Sequence, residues 1–322
     1  MRIHLPNSAR LQNLAGFFRQ FDPGNPGILE FSMHDRWVAV HPVVLAFAAC
    51  VADRVTSTGG AHVGDVQPIG SLPYLIRMGL FNHIHLDYGK GIAAHEEAGR
   101  FIPISQIRES GELSEFIINM IPLLHASPAQ VEPIRYVISE LVRNVLEHSA
   151  SESGAFLCAQ YYRSSGTLSI GVADAGVGIR TTMSRFHNVP TDWDALLLAM
   201  RPGISGTTSR IGGTDYNAGA GLFFTKSIAC ASRNYFAIYS GSEMFKLRLT
   251  PAKSPITLHA DPNKDRHTRE TELPPWNGTV VGLDIALDKQ QPFSQLMELV
   301  RKAYGLDVKG QKKAKYKKPR FA

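Results

Sequence analysis

The sequence predicts an α/β protein of two domains, on three observations. The chain has 322 residues, 44% hydrophobic and 19% charged, with 28 Gly and 19 Pro. That is a globular composition with ample apolar material for a core. At about 150 residues per domain, the length sets an expectation of two domains, or of one with additions. Short alternating or apolar runs, bounded by Gly, Pro, Asn and Ser, also interleave with longer runs of helical spacing.

Taken in order, Ile28 to Met33 and Trp37 to Val40 read as short strands. Pro42 opens an apolar helix from Val43 to about Ser57, closed by Gly59-Gly60. A strand over Ala61 to Val66 and a capped helix over Ser71 to Leu80 complete a small α/β unit. The polar, glycine-bearing segment Asp87 to Gly99 marks the boundary. Residues 1–100 are thus the first unit, 101–290 the second, and 291–322 a C-terminal helix with a basic tail.

The second unit begins with a helix from Glu112 to Leu124. Ser127-Pro128 then supplies an N-cap and first-turn pair for a long helix reaching His148. Ala155 to Tyr162 and Thr167 to Ala173 read as paired strands joined by Ser164-Ser-Gly166. A helix follows over Thr191 to Met200. Arg201 to Ala218 is polar, rich in Gly, Ser and Thr, and reads as a mobile loop. Then come a helix from about Gly221 to Ser232 and strands over Tyr235 to Ser240, Met244 to Leu249 and Thr279 to Ile285. The polar insertion Pro251 to Asn277 carries no assigned element.

The net charge of +6 is local. Lys309 to Arg320 holds seven basic residues and no acidic one, and setting those aside leaves 27 Lys plus Arg against 28 Asp plus Glu. The body is about neutral, and the basic tail is expected to be disordered, with nucleic acid, anionic lipid or an acidic partner as its docking alternatives. Cys50, Cys158 and Cys230 are far apart and form no C-x-x-C pair, which argues against a disulfide framework or a cysteine zinc site. The longest apolar run, Val43 to Ala52, is about half of what a membrane crossing needs. Arg2, His4, Pro6, Asn7 and Arg10 interrupt any signal-peptide core. The expectation is a cytoplasmic protein without a membrane span. His83, His85 and His95 lack Cys or acidic neighbours at ligand spacing and read as packed or surface side chains.

Three segments carry candidate chemistry. In Glu140-Leu-Val-Arg-Asn144-Val-Leu-Glu-His148, a spacing of four residues is about 400° of helical rotation, so Glu140, Asn144 and His148 share one stripe. In Asp174-Ala-Gly176-Val-Gly178, a strand delivers a carboxylate at its end, followed by glycines that let backbone approach a ligand. In Gly219-Ala-Gly221-Leu222, a glycine-rich helix start presents N–H groups and a positive dipole end suited to phosphate. Each segment alone has an ordinary structural explanation: an amphipathic helix, a turn, a tight helix entry. Two common phosphate motifs fail. A P-loop ending at Lys226-Ser227 would need glycines at Ala220 and Thr225, and the dinucleotide fingerprint would need one at Thr181.

In this order, the segments resemble the N, G1 and G2 boxes of the GHKL ATPase superfamily, shared by gyrases, chaperones, histidine kinases and mismatch-repair ATPases. Gly278-Thr279 opens a late strand as in the final box. The resemblance covers about residues 110–287. It implies a Bergerat-type two-layer α/β sandwich that binds ATP and Mg2+. It further implies that Glu140 activates the attacking water or hydroxyl, that Asn144 holds magnesium, and that Asp174 accepts from the adenine amine. Gly176 and Gly178 would pass around the base, and Gly219, Gly221 and Leu222 would lie at the phosphates. Thr207 and Thr208, in an ATP lid over Arg201 to Ala218, would contact phosphate, and Thr279 would help hold adenine.

Departures narrow the subfamily. Sensor histidine kinases usually carry Lys where this chain has Glu147, and they need a phosphoacceptor His on a helical hairpin, whereas His125 reads as a loop residue. The short remainder after Ile285 leaves no room for the transducer domain of gyrases and mismatch-repair ATPases. His148 and Gly219-Ala-Gly221-Leu-Phe-Phe look closer to the anti-sigma-factor serine kinases, although those commonly carry Arg at the position of Ala220. The leading strand–helix–strand–helix order is similar to STAS-like domains. The implied function is phosphoryl transfer to a protein serine or threonine, with a protein partner and a homodimer expected. An ATP-dependent switch and a nucleic-acid-associated ATPase using the tail are the alternatives.

Overall fold

The computed structural model describes residues 1–89, 101–125, 127–212, 219–287 and 293–315, and the chain adopts the expected mixed α/β class. The leading region runs β1 (Arg2–Leu5), β2 (Ser8–Ala9), α1 (Leu14–Gln20), β3 (Ile28–Met33), β4 (Ala39–Val40), α2 (Pro42–Ser57), β5 (Ala61–Gly64), α3 (Leu72–Arg77) and α4 (Leu80–Ile84). Next come β6 (Phe101–Ile107), α5 (Ser110–Met120), α6 (Pro128–His148), β7 (Ala155–Tyr162), β8 (Thr167–Ala173), α7 (Gly178–Ser184) and α8 (Asp192–Ala199). The chain continues through α9 (Gly221–Ala231), β9 (Phe236–Gly241), β10 (Glu243–Leu247), β11 (His267–Glu270), β12 (Trp276–Ala286) and α10 (Phe293–Lys315).

Seven strands form one sheet in the order β11-β10-β9-β12-β8-β7-β6, with every neighbour antiparallel. The side-chain period of two divides its faces. On β8, Leu168, Ile170 and Val172 join the core beneath α5 to α9. Ala173 joins a second core on the opposite face, shared with the leading region. There β1, β3 and β5 form a small parallel sheet, and α2 lies between it and the large one. This position explains why α2 is apolar all round. Pro42 to Ala52 are buried without interruption, as a helix sandwiched between two sheets requires.

The seat of α2 is cut by two glycines. Gly171 on β8 and Gly282 on β12 are paired in register. A Cβ on Gly171 would lie 2.2 Å from the backbone nitrogen of Val43, and one on Gly282 would lie 3.1 Å from the Val43 side chain. The first turn of α2 therefore rests directly on the sheet. From there Phe47 meets Trp276 edge-on at 5.0 Å, and Phe18 meets Tyr239 at 4.4 Å. The two regions thus share one continuous core across the expected boundary, most of which (90–99, with His95) lies outside the described residues.

Several elements differ from expectation. β1, β2 and α1 precede the first expected strand, and β1 is a short half-buried strand whose alternation spans only four residues. α7 occupies a stretch to which the sequence reading assigned no element, and β11 lies inside the insertion 251–277 as an edge strand. That insertion is pinned by the buried Lys226, which donates to the carboxylate of Asp265 and, at 3.0 Å, to the carbonyl of His259. α10 extends to Lys315, so Lys309 to Lys315 are helical rather than a disordered tail, because Val308 and Gln311 pack inward; 316–322 lie outside the described residues. Among the described residues, no helix is long and apolar enough to cross a membrane.

Gly171→Ala is expected to lower the unfolding free energy by about 1–3 kcal/mol, the usual cost of overpacking against atoms that cannot yield. Gly16→Ala, in α1 with nothing within 4 Å of a new Cβ, should be neutral or slightly stabilising. Urea denaturation of both variants checks the contrast.

Candidate functional site

A cleft of about 350 Å3 opens between α6, α7, α9 and the ends of β8 and β12. Nine residues singled out from the sequence line it: Glu140, Asn144, His148, Asp174, Gly178, Gly219, Gly221, Leu222 and Thr279. Gly176 stands just behind the lining, with its N–H donating to Asp174 Oδ1 at 2.8 Å. Thr207 and Thr208 do not line the cleft. A short bridge between Ser205 and Thr208 turns the chain, so that Ser205 and Gly206 face inward instead. Residues 213–218 of the expected lid lie outside the described residues.

The inner end is built around Asp174. β8 delivers it where the strand stops, and the Asp174 N–H donates to Thr279 O on β12 at 2.9 Å. Trp276 Nε1 donates to the Asp174 carbonyl at 2.9 Å. The residue is 1% exposed. Burial pushes its pKa up to about 7, against the opposing pull of the Gly176 and Thr279 N–H groups. The chain then turns through Gly178, whose φ of +78° is left-handed and suits glycine. Ser240 Oγ locks that turn: it accepts from the Ile179 N–H at 3.0 Å and donates to Gly278 O at 2.6 Å.

The outer end belongs to α6 and α9. Glu140 and Asn144 lie one turn apart, and α9 starts directly beside them. A Cβ on Gly221 would sit 2.6 Å from Glu140 Oε2 and 3.1 Å from Asn144 Nδ2. Only glycine lets the helix N-terminus, with its unsatisfied N–H groups and positive dipole end, come this close. Burial raises the Glu140 pKa, Arg143 opposes that rise, and Glu147 adds to it. Burial also lowers the pKa of His148, farther along the same stripe.

At the outer end, Asn144 and Glu140 are the amide and carboxylate that could face a cation. Asn144 Nδ2 is buried and has no hydrogen-bond partner among the described residues; as an N–H donor it calls for an oxygen of ligand or solvent, and only Oδ1 of this amide could face a cation. Among the described residues no group of three or more His, Cys, Asp and Glu could hold a metal alone. A hard cation here would take most of its ligands from phosphate and water, as magnesium does in phosphate sites.

Sequence reasoning missed four contributors. Tyr136 lines the cleft one turn before Glu140, and extending the stripe back by four residues would have found it. Thr182 Oγ1 donates to Gly178 O and His148 O, both at 3.1 Å, and so ties α7 to α6. Ser240 and Trp276 come from distant strands and carry no local signal.

The raised carboxyl predicts a pH-dependent penalty on folding. Asp174 prefers its proton in the folded state, while in the unfolded chain it ionises above its ordinary value of 3.8. The penalty is therefore absent below about pH 4 and constant above about pH 7. Between those limits it grows by about 1.4 kcal/mol for each rise of one in pH. Asp174→Asn should accordingly raise the unfolding free energy most at about pH 8 and least at about pH 4, which urea titrations at the two pH values can read. The chain matches no protein-family model and no curated protein.

Proposed function

We propose that the protein binds Mg-ATP in this cleft as a GHKL-type domain and transfers the γ-phosphate to a serine or threonine hydroxyl of a protein partner. The observation that carries the reading is one cleft with two chemically opposite ends. At the inner end a buried carboxyl, Asp174, acceptor-only once ionised, matches the donor amine of adenine and not the carbonyl of guanine. At the outer end a helix N-terminus, a carboxylate and an amide converge where phosphates would lie.

Each residue then has a physical task. Thr279, whose carbonyl holds the backbone of Asp174, keeps the inner carboxyl in place. The start of α9 offers N–H groups to phosphate oxygens, a role that glycine permits and that Ala220 does not supplement with a cation. Bound magnesium would neutralise phosphate charge, with Asn144 as its protein ligand. Glu140, its pKa raised by burial, is suited to take the proton of the acceptor hydroxyl. The STAS-like leading region would act as part of the same body, because its α2 is buried against the large sheet.

A second reading is an ATP-dependent switch without phosphotransfer. It is favoured by the contact between the cleft-lining segment 201–212 and α10, which gives cleft occupancy a route to the outer surface. The exposed Lys309, Lys312 and Lys313 on α10 give the nucleic-acid reading its only foothold among the described residues. Incubation with γ-labelled ATP and candidate partners separates the readings, since only a kinase moves label onto protein.

Asp174→Asn should weaken ATP binding by about tenfold to a hundredfold, equivalent to roughly 1–3 kcal/mol for a donor facing a donor. In the wild type, adenine recognition favours the ionised carboxyl, so affinity should be highest above pH 7 and fall as pH drops through about 7. Titration calorimetry from about pH 5.5 to about pH 8.5 would detect the slope. A flat profile would remove Asp174 from the adenine site.

Glu140→Ala should retain nucleotide and lose turnover by about 10²- to 10⁴-fold, the usual contribution of a general base. Asn144→Ala should instead weaken the magnesium-dependent part of binding. Wild-type phosphate release by Glu140→Ala would contradict the role given to that carboxylate.

A further inference from the structure

Helix α10 lies across the outside of the cleft. Met297, Val300 and Val308 are buried and Tyr304 and Gln311 half-buried, whereas Leu299, Lys302, Leu306, Lys309 and Lys313 on the opposite side are exposed. The Tyr304 ring stacks on Phe224 at 5.7 Å and 19°. Phe224 meets Tyr136 edge-on at 6.0 Å, and both of these line the cleft.

One turn farther, α10 grips the neck of segment 201–212. That neck is closed by the Gly212 N–H donating to Gly203 O at 2.8 Å and the Gly203 N–H donating to Gly219 O at 2.9 Å. Val308 fills the space above both glycines: a Cβ on Gly203 would lie 2.7 Å from Val308 Cγ2, and one on Gly212 would lie 3.7 Å from Val308 Cγ1. Gln311 Nε2 donates to Pro202 O at 3.1 Å, and Lys312 Nζ lies 3.0 Å from the Cβ position of Gly212. Beyond the neck, Ile204, Ser205 and Gly206 wall the cleft. One short segment is thus held by α10 on one side and borders the site on the other.

Two further residues bear on how firmly that hold is made. Gly305 and Gly310 lie inside α10, and a Cβ at either would meet nothing within 4 Å. Neither has a positive φ. Neither space nor backbone geometry therefore requires glycine at these positions. Their remaining effect is entropic, since a helical glycine favours the uncoiled state relative to alanine.

We propose that α10 is a latch on the cleft. Docked, it is helical and holds segment 201–212 against the site; undocked, it uncoils, frees that segment and opens the site to exchange of its ligand. Gly305 and Gly310 keep the docked state marginal, so the latch can be released without unfolding the domain. What the cleft holds rests on the nucleotide reading above, but the coupling between α10 and the segment does not.

The test uses the full chain in three forms: wild type, Gly305→Ala/Gly310→Ala, and Val308→Asp. Amide exchange is followed without nucleotide over 201–212 and 295–313, and dissociation of a fluorescent ATP analogue with magnesium is followed separately. The alanine pair should slow exchange in both segments together, by about fivefold per substitution, the equivalent of ~1 kcal/mol each. It should slow release of the analogue in the same direction. Val308→Asp should speed exchange in both segments by about fivefold or more, as a carboxylate in place of the aliphatic side chain packed on Gly203 and Gly212 disfavours docking even with Lys312 Nζ near enough to pair with it, while 155–162 and 167–173 exchange as in wild type. If Val308→Asp fails to fold, the alanine pair decides alone. Exchange over 201–212 that ignores a change in α10 would overturn the latch. A wild type that binds no nucleotide would overturn the nucleotide reading instead, and the exchange data would still decide the latch.

Discussion

The contact between the first turn of α2 and the glycine pair Gly171–Gly282 sets the geometry on both sides of the large sheet. Because neither strand has a side chain there, a helix backbone rests against the sheet at a distance no larger residue allows. That approach brings Phe47 onto Trp276, and Trp276 in turn holds the carbonyl of Asp174. Burial at this end of the sheet also raises the pKa of the Asp174 carboxyl. The leading region is therefore structurally part of the site, although among the described residues it contributes none to the cleft lining.

The cleft places its charges in opposition to its own stability. A carboxyl is buried at one end, and at the other a second carboxyl is held near a third, Glu147, on the same helix. Neither arrangement helps the chain fold, and both would be eased by a ligand that donates at one end and brings cations to the other. Perturbed carboxyls lining a concave site single it out as the candidate binding site. The orphaned amide of Asn144 belongs to the same pattern.

Parts of the fold were legible because their signals are local. β7 and β8 occupy the residues expected from apolar alternation and a Ser-Ser-Gly turn, and α6 follows its Ser-Pro start to His148. The elements that escaped had no such signal. α7 starts at a glycine that otherwise reads as loop, and β11 is four residues of mixed polarity, made a strand only by pairing with β10. The extension of α10 through a lysine-rich stretch was hidden by its charge, because its helicity comes from Val308 and Gln311 meeting the loop at 202–212.

Periodicity and chain stiffness act over a few residues, and they were enough to set the α/β class, most of the strands and helices, and the stripe that puts Glu140 and Asn144 one turn apart. Whatever depends on the distance between remote segments was left to packing. Packing brought α9 to within a glycine of Glu140 and Asn144, turned Ser205 and Gly206 rather than Thr207 and Thr208 into the cleft, and merged the leading region into one core with the sheet. It also gave Asp174 its raised pKa, since a carboxyl's ionisation is set by what surrounds it in space and not by its neighbours in the chain.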